Sequence, residues 1–358
     1  MKNNVYIDIH AIHSVPSSNI NRDDTGSPKT AQYGGVTRAR VSSQAWKKAM
    51  RDYFIKNLDE KDLGTRTLEL VSYIAQKIQR LDGSIDDENA IKKANDVINK
   101  AGLKTANSKA EDKHPVLKAL FFIGNEQAEK LAKAAVDGVN DKKELQGILN
   151  TNPAIDISLF GRMAADDPNL NEDASAQVAH AISTHPVRTE YDFFTATDDF
   201  SSKENSGAGM LGTVEYNSST LYRYANVAGH ELVKQLGDSK QAAKSMALFI
   251  EAFIKSMPTG KANTFANETL PSAIVVTVRD DRPVSLVNGF EKPVSADNGY
   301  IHSSIEALNS EFKKVSSFVD KPLLTLSIGD EELGDSQDNL NSLLDNFVDQ
   351  VTPLLSED

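Results

Sequence analysis

The sequence predicts an α+β fold of ferredoxin-like type, with one sheet, helices on one face and a long helical insertion. Three observations predict it. Strand-like and helix-like segments alternate over most of the chain; the stretch from Asp59 to about Asn150 shows helical periodicity only; and a polar, Gly-rich segment between Asp198 and Gly212 joins two strand patterns into a long hairpin. A chain of 358 residues is long enough to bury a real core, and with 39% apolar residues it is ordinary for a globular protein.

The first element, Val5 to His10, alternates with period two and reads as a half-buried strand. From about Ser14 to Arg40 the sequence is rich in Ser, Asn, Asp and Gly and reads as a long functional loop. Ser42 and Ser43 then cap a helix over Gln44 to Leu58, whose apolar face is Trp46, Ala49, Met50, Tyr53, Phe54 and Leu58. The insertion offers helices at Thr67 to Leu81, Glu88 to Ala101, Val116 to Ile123, Gln127 to Val136 and Lys142 to Leu149, without strand signals. After Asn152-Pro153 the alternation of Ile155, Ile157 and Leu159 predicts a strand, and Val187 to Thr195 and Val214 to Val227 predict the hairpin. Helix Lys240 to Ser256, strand Ala273 to Arg279, helix Ser303 to Ser317, strand Leu323 to Ile328 and an acidic helical segment complete the order.

Composition excludes several functions. Without cysteine there are no disulfides, thiolate nucleophiles or iron–sulfur ligands, and no apolar run approaches the roughly 18 residues of a membrane span. The first residues lack the pattern of a signal peptide, and the expected compartment is the cytoplasm. The net charge of −12 argues against nucleic-acid binding as a sum but hides an asymmetry. Ile20 to Lys56 carries eight basic against three acidic residues, a local +5, whereas Asp320 to Asp358 carries one Lys against ten acids, a local −9. Such poles suit a polyanion at one surface, or a head-to-tail contact with another copy.

The sharpest motif is the stretch Arg22 to Arg51. Its Gly34-Gly35 turn leads through Arg38 and Arg40 to a helix whose positions 44, 47, 48 and 51 place Gln44, Lys47, Lys48 and Arg51 in one stripe, beside an N-terminus with free backbone N–H groups. This pattern fits a phosphate-tracking surface, and equally a solvated helix face. His10, His13, His180 and His185 lack a metal-ligand spacing and read as structural histidines, so no metal site is expected. Asp23 and Asp24 read first as loop-ordering carboxylates, although carboxylates there could also hold Mg²⁺ near a bound RNA. No G-x-S-x-G, Walker-type loop or G-x-G-x-x-G is present, which removes the common hydrolase, NTPase and dinucleotide signatures. On the strand Val187 to Thr195, residues 187, 189, 191, 193 and 195 share one face, leaving Phe194 on the polar face with no core to fill. Met163, beside Arg162, is a flexible side chain able to pack on a base.

Taken together, Asn21-Arg22-Asp23-Asp24, Gly34-Gly35, Arg40-Val41-Ser42-Ser43-Gln44, Gly161-Arg162-Met163-Ala164, His180-Ala181-Ile182-Ser183-Thr184-His185, Phe194-Thr195-Ala196, Tyr222-Arg223-Tyr224-Ala225-Asn226 and Asn288-Gly289-Phe290-Glu291-Lys292 resemble the CasC backbone-subunit family of type I-E CRISPR Cascade. The resemblance implies an RNA-recognition-like palm begun by residues 1–58, a helical fingers insertion over 59–180, a thumb hairpin with flanking palm strands over 181–226, and the rest of the palm over 227–358. It implies a protein that polymerises along a CRISPR RNA with other Cascade subunits and presents the RNA to a target DNA strand, without cofactor, metal or catalytic residue. Carried over position by position, Arg22, Lys29, Arg40, Ser42, Gln44, Lys47, Lys48 and Arg51 would hold the RNA backbone. Met163, Phe194 and Thr195 would act at the thumb, where the RNA is kinked, and Lys142 and Lys143 would track target DNA. Because backbone proteins of other CRISPR types cut RNA through a loop aspartate, the competing expectation is a Mg²⁺-dependent ribonuclease using Asp23 or Asp24.

Overall fold

The computed structural model describes residues 4–107, 114–196, 210–297 and 299–356. In chain order it begins with strands β1 (Tyr6–Ser18), β2 (Thr30–Tyr33) and β3 (Val36–Val41) and helix α1 (Ser43–Asn57). The insertion holds β4 (Gly64–Thr67), α2 (Leu70–Leu81), α3 (Asp87–Lys100), β5 (Thr105–Ala106), β6 (Val116–Leu117), β7 (Phe121–Gly124), α4 (Asn125–Asp137), α5 (Lys142–Asn150) and α6 (Ile155–Phe160). There follow β8 (Ala176–Val178), β9 (Ala181–Ser183), β10 (Glu190–Ala196), β11 (Met210–Ala228), α7 (Gly229–Leu236), α8 (Ser239–Lys255) and α9 (Ala262–Phe265). The last elements are β12 (Ala273–Arg279), α10 (Tyr300–Val315), β13 (Leu324–Ile328), β14 (Asp335–Ser336) and α11 (Leu340–Ser356).

The chain divides into two compact units, one made of the residues up to Met50, Val178–Asn226 and Ala247 onward, the other of Arg51–Gln177 and Val227–Met246. The first is built on a mostly antiparallel sheet of order β14-β13-β12-β1-β11-β9-β3-β2, with β8 and β10 also paired to β11. The second is a helical body in which α2, α3, α4 and α5 share a core of Leu70, Ile74, Ile98, Leu131 and Leu145. Its helices start where the sequence supplies caps: Asp86 accepts from Asn89 N at 2.8 Å and Asp141 from Glu144 N at 2.9 Å.

Four local expectations are corrected. β1 is not half-buried: Ile7 to His13 are all buried, because Ile12 packs with Leu308 of α10 on one face while His13 meets Trp46 of α1 on the other. Helices therefore lie on both faces of this sheet, and the buried Asp8, His10 and His13 of β1 find hydrogen-bond partners inside it. The stretch read as one loop from Ser14 to Arg40 is the end of β1 followed by a β2–β3 hairpin, paired from Thr30↔Ala39 to Tyr33↔Val36. Residues 116–123, expected as a helix, form β6 and β7, so the insertion does contain strands. Ile155, Ile157 and Leu159 lie on a helix instead of a strand; every residue from Ile155 to Leu159 is buried, so the apolar spacing carries no period to distinguish the two. The Gly-rich hairpin tip falls mainly on residues outside those described, but its flanks pair as expected, from Glu190↔Tyr216 to Ala196↔Met210.

Burial in the sheet has a cost that pH exposes. Asp8 accepts from Tyr224 Oη at 2.7 Å and from Val284 N at 3.1 Å, with Arg279 Nε 3.6 Å away. Burial nevertheless dominates and pushes its carboxyl up to about 6 from 3.8. A group with this raised value binds its proton in the folded chain first, so its destabilising effect shrinks as pH falls from about 6 to about 4. We expect denaturant unfolding to show wild type gaining stability relative to Asp8→Asn across that window, with the difference constant above neutral pH. A difference that stays level through the window would mean that Asp8 keeps its charge.

Candidate nucleic-acid interface

In the first unit the segment Asn21 to Gln44 is assembled by short bonds that leave little freedom. Arg22 and Pro28 form a bridge, Lys29 N donates to Asn21 O at 2.9 Å, Arg40 N donates to Lys29 O at 2.9 Å, and Ser42 N donates to Asn21 Oδ1 at 2.8 Å. Buried Asn19 adds bonds to Gly26 O at 3.0 Å and Glu215 O at 2.8 Å. Beside this segment lies an open cleft of about 530 Å³ lined by Ile20, Asn21, Arg22, Asp23, Asp24, Thr25, Gly26 and Gly260. Asp23 works within the loop: its Oδ1 accepts from Thr25 Oγ1 at 2.7 Å and from the N–H groups of Thr25 and Ser27 at 3.0 Å. The Thr25 hydroxyl first, then these backbone donors, hold its carboxyl below the usual range.

The cations of the segment have different fates. Arg22 and Lys48 are exposed, and Lys29, Arg40 and Lys47 are partly so. Burial alone lowers the Lys47 ammonium from its ordinary value. Arg40 is oriented by two bonds, Nε to Thr30 O at 3.1 Å and Nη1 to His180 Nδ1 at 3.1 Å. Arg38 is wholly buried, donating to the carbonyls of Tyr33 at 3.1 Å, Ser183 at 3.0 Å and Phe290 at 2.8 Å, so it adds no surface cation. Ser42 is buried as well, and its hydroxyl caps α1 by accepting from Ala45 N at 3.3 Å, while Gln44 is exposed at the helix start.

Arg51, which the helix periodicity places in the same stripe, belongs to the second unit and turns inward. It is 17% exposed, its Nε lies 3.7 Å from Asp156 Oδ2, and its guanidinium sits 4.4 Å over the Phe122 ring. Asp156 also accepts from Gly64 N at 2.9 Å, and burial still pushes its carboxyl up to about 6. Met163, also in the second unit, stands 79% exposed, while its neighbour Arg162 is buried and donates to Leu170 O at 2.7 Å and Leu149 O at 2.9 Å. Lys142 opens α5 and pairs with Asp167 Oδ2 at 2.9 Å; this bond is the first cause holding Asp167 down to about 2. Lys143 is exposed.

On the β10–β11 ribbon Phe194 lies opposite Gly212, and its ring occupies the space a side chain there would need, since a Cβ at Gly212 would come within 2.3 Å of it. Phe194 is 37% exposed, and Tyr191 and Phe193 on the other face more so at 66% and 64%. The face read from sequence as the core side has no core. Alternation along a strand marks two faces but cannot say that either is covered. Thr195 is exposed.

His10, His13 and His185 are buried, with His10 Nδ1 2.9 Å from Tyr222 Oη and His13 Nδ1 2.9 Å from an Arg223 nitrogen. His180 differs from them in being exposed and held against Arg40, which neither its spacing nor its apolar neighbours could reveal. Among the described residues no group of three or more His, Cys, Asp or Glu side chains is placed to hold a metal, and no helix is long and apolar enough to cross a membrane.

A protein-family model described as CT1975-like protein matches residues 7–350. Among solved structures, the chain is similar to a chain of a "CRISPR RNA-guided surveillance complex, pre-nicking", with 32% identity and a TM-score of 0.88 over 97% of this chain and 100% of that one. It is also similar to a chain of a "CRISPR RNA-guided surveillance complex", with 28% identity and a TM-score of 0.77 over 96% of this chain and 99% of that one. No curated protein matches it significantly.

Proposed function

The chain belongs to the CT1975-like protein family, and on that premise we infer that it is the guide-RNA-binding backbone subunit of a CRISPR surveillance complex of type I-E, the CasC subunit. The observation that carries this reading is the cationic surface that Lys29, Arg40, Lys47 and Lys48 form around the start of α1, in a protein whose net charge is −12. Such a surface grips phosphates without reading bases, and leaves sequence recognition to pairing by the guide. In this reading the first unit contains a ferredoxin-like palm and carries the thumb ribbon, and α2 to α5 are the fingers. Met163, Phe194 and Thr195 interrupt guide stacking, Lys142 and Lys143 meet target DNA, and copies assemble head to tail along the RNA through their oppositely charged poles.

Sedimentation with single-stranded RNAs of increasing length tests the reading: the bound mass should rise in steps of one subunit as the RNA lengthens. A monomer or closed dimer at every length would remove the filament. The protein is read as non-catalytic. The ribonuclease reading keeps one specific support, the open cleft beside Asp23 and Asp24, and against it stands the engagement of Asp23 within its own loop. Incubation with guide, complementary RNA and Mg²⁺ separates them, because cleavage lost on Asp23→Ala or Asp24→Ala would establish the enzyme.

A further inference from the structure

We propose that His180 is a further RNA-contacting residue, which completes with Lys29 and Arg40 a cradle for one phosphodiester and takes up a proton as that phosphate arrives. The inference rests on the RNA-binding reading above and deepens it. An arginine guanidinium can only donate, so the 3.1 Å contact from Arg40 Nη1 fixes His180 Nδ1 as the acceptor and leaves the ring proton on Nε2. With Nε bonded to Thr30 O and Nη1 to His180 Nδ1, the Arg40 guanidinium plane of the free protein is set by two bonds, and its Nη2 remains for a phosphate oxygen. Lys29 is tied to the same place through its carbonyl, which accepts from Arg40 N at 2.9 Å, and through its own N–H, which donates to Asn21 O. His180 directly precedes β9, whose pairing Arg40↔Ile182 holds the two strands in register.

The charged groups facing His180 are Arg40 and Lys29, both cations. Partial burial first, then these two charges, push the imidazole below its ordinary value, so the free protein holds it neutral. Among the described residues the charges acting on the ring are thus alike in sign. A phosphodiester carries one negative charge and does not itself titrate near neutrality; laid on Lys29 and Arg40 it offsets the repulsion and favours the imidazolium, whose new proton sits on Nδ1, so the Arg40 Nη1–Nδ1 bond is given up and Nη1 and Nδ1–H both turn to donate to the phosphate oxygens. Binding and protonation are linked, so affinity must rise as pH falls.

The test is the affinity of the full chain for a short single-stranded RNA at constant ionic strength between about pH 8 and pH 6. Wild type should bind about three- to tenfold more tightly at the lower pH, within the limit of tenfold per unit that one proton allows. His180→Gln, checked for an unchanged melting temperature, should bind with the same affinity throughout. The His180 ring resonance followed by NMR should titrate at higher pH with the RNA than without it. If wild type and His180→Gln share one pH profile, or the ring titrates at the same pH with and without RNA, the inference is overturned while RNA binding stands. If wild type binds no RNA at any pH, the functional reading itself fails and the inference with it.

Discussion

Replacing Arg40, Lys47 and Lys48 together by alanine should weaken binding to single-stranded RNA at least about a thousandfold, since each charge-assisted contact contributes roughly 1.5 to 3 kcal/mol and three are lost. The loss should be the same for unrelated RNA sequences, because these side chains meet phosphates. The salt dependence identifies the cause: each phosphate contact contributes about 0.7 to the slope of log affinity against log salt for a single strand, so the triple variant should lose about 2. An affinity and a slope that both keep their wild-type values would reduce this surface to a solvated helix face. The three positions are at least partly exposed, so the melting temperature should change little.

Gly34→Ala should act through the backbone. Gly34 has φ +59°, and a Cβ there would come within 1.7 Å of Glu291 O, which is main chain and cannot swing aside. Adjacent Gly35 has φ +76° and nothing within 4 Å of the same atom, so it is the matched control. Gly35→Ala should cost about 1 kcal/mol of left-handed backbone strain, whereas Gly34→Ala should cost several, about 3 kcal/mol or more, by prising the β2–β3 turn from Phe290 and Glu291. Because Arg38 reaches Phe290 O from this hairpin, the displacement should also disturb Lys29 and Arg40, and RNA affinity should fall with Gly34→Ala far more than with Gly35→Ala. Equal melting temperatures for the two variants would show that the turn moves freely.

What the sequence revealed follows from which physical signals repeat along a chain. α1 was legible because Trp46, Ala49, Met50 and Phe54 recur at helical spacing and all four are buried. The strand Ala273–Arg279 is buried at every position and was legible from its short run of β-branched Ile, Val and Thr, and the hairpin partners from the polar, Gly-rich segment between two strand-like runs. Ile155 to Leu159 was not, since a segment buried all round presents no contrast. The charge map misled at two positions: Arg38 and Arg51 count as cations in composition, but one is spent on buried carbonyls and the other on Asp156. Only tertiary packing separates a cation that faces solvent from one that staples the core. His180 posed the converse difficulty, because a histidine read as structural is the exposed partner of Arg40.

The β10–β11 ribbon has a consequence for how the chain behaves in solution. Among the described residues, the two strands with Tyr191, Phe193 and Leu211 exposed on one face and Phe194 on the other have neither a third strand nor a helix over those rings, and a ribbon of two strands is only marginally stable by itself in water. Such a patch favours any contact that dries it. If RNA covers these rings as proposed above, the chain concentrated without RNA should associate through them, whereas saturating RNA should keep it dispersed, which light scattering at matched concentrations would read. On that account the ratio of RNA to protein should change the dispersed fraction while the melting temperature of the chain stays the same.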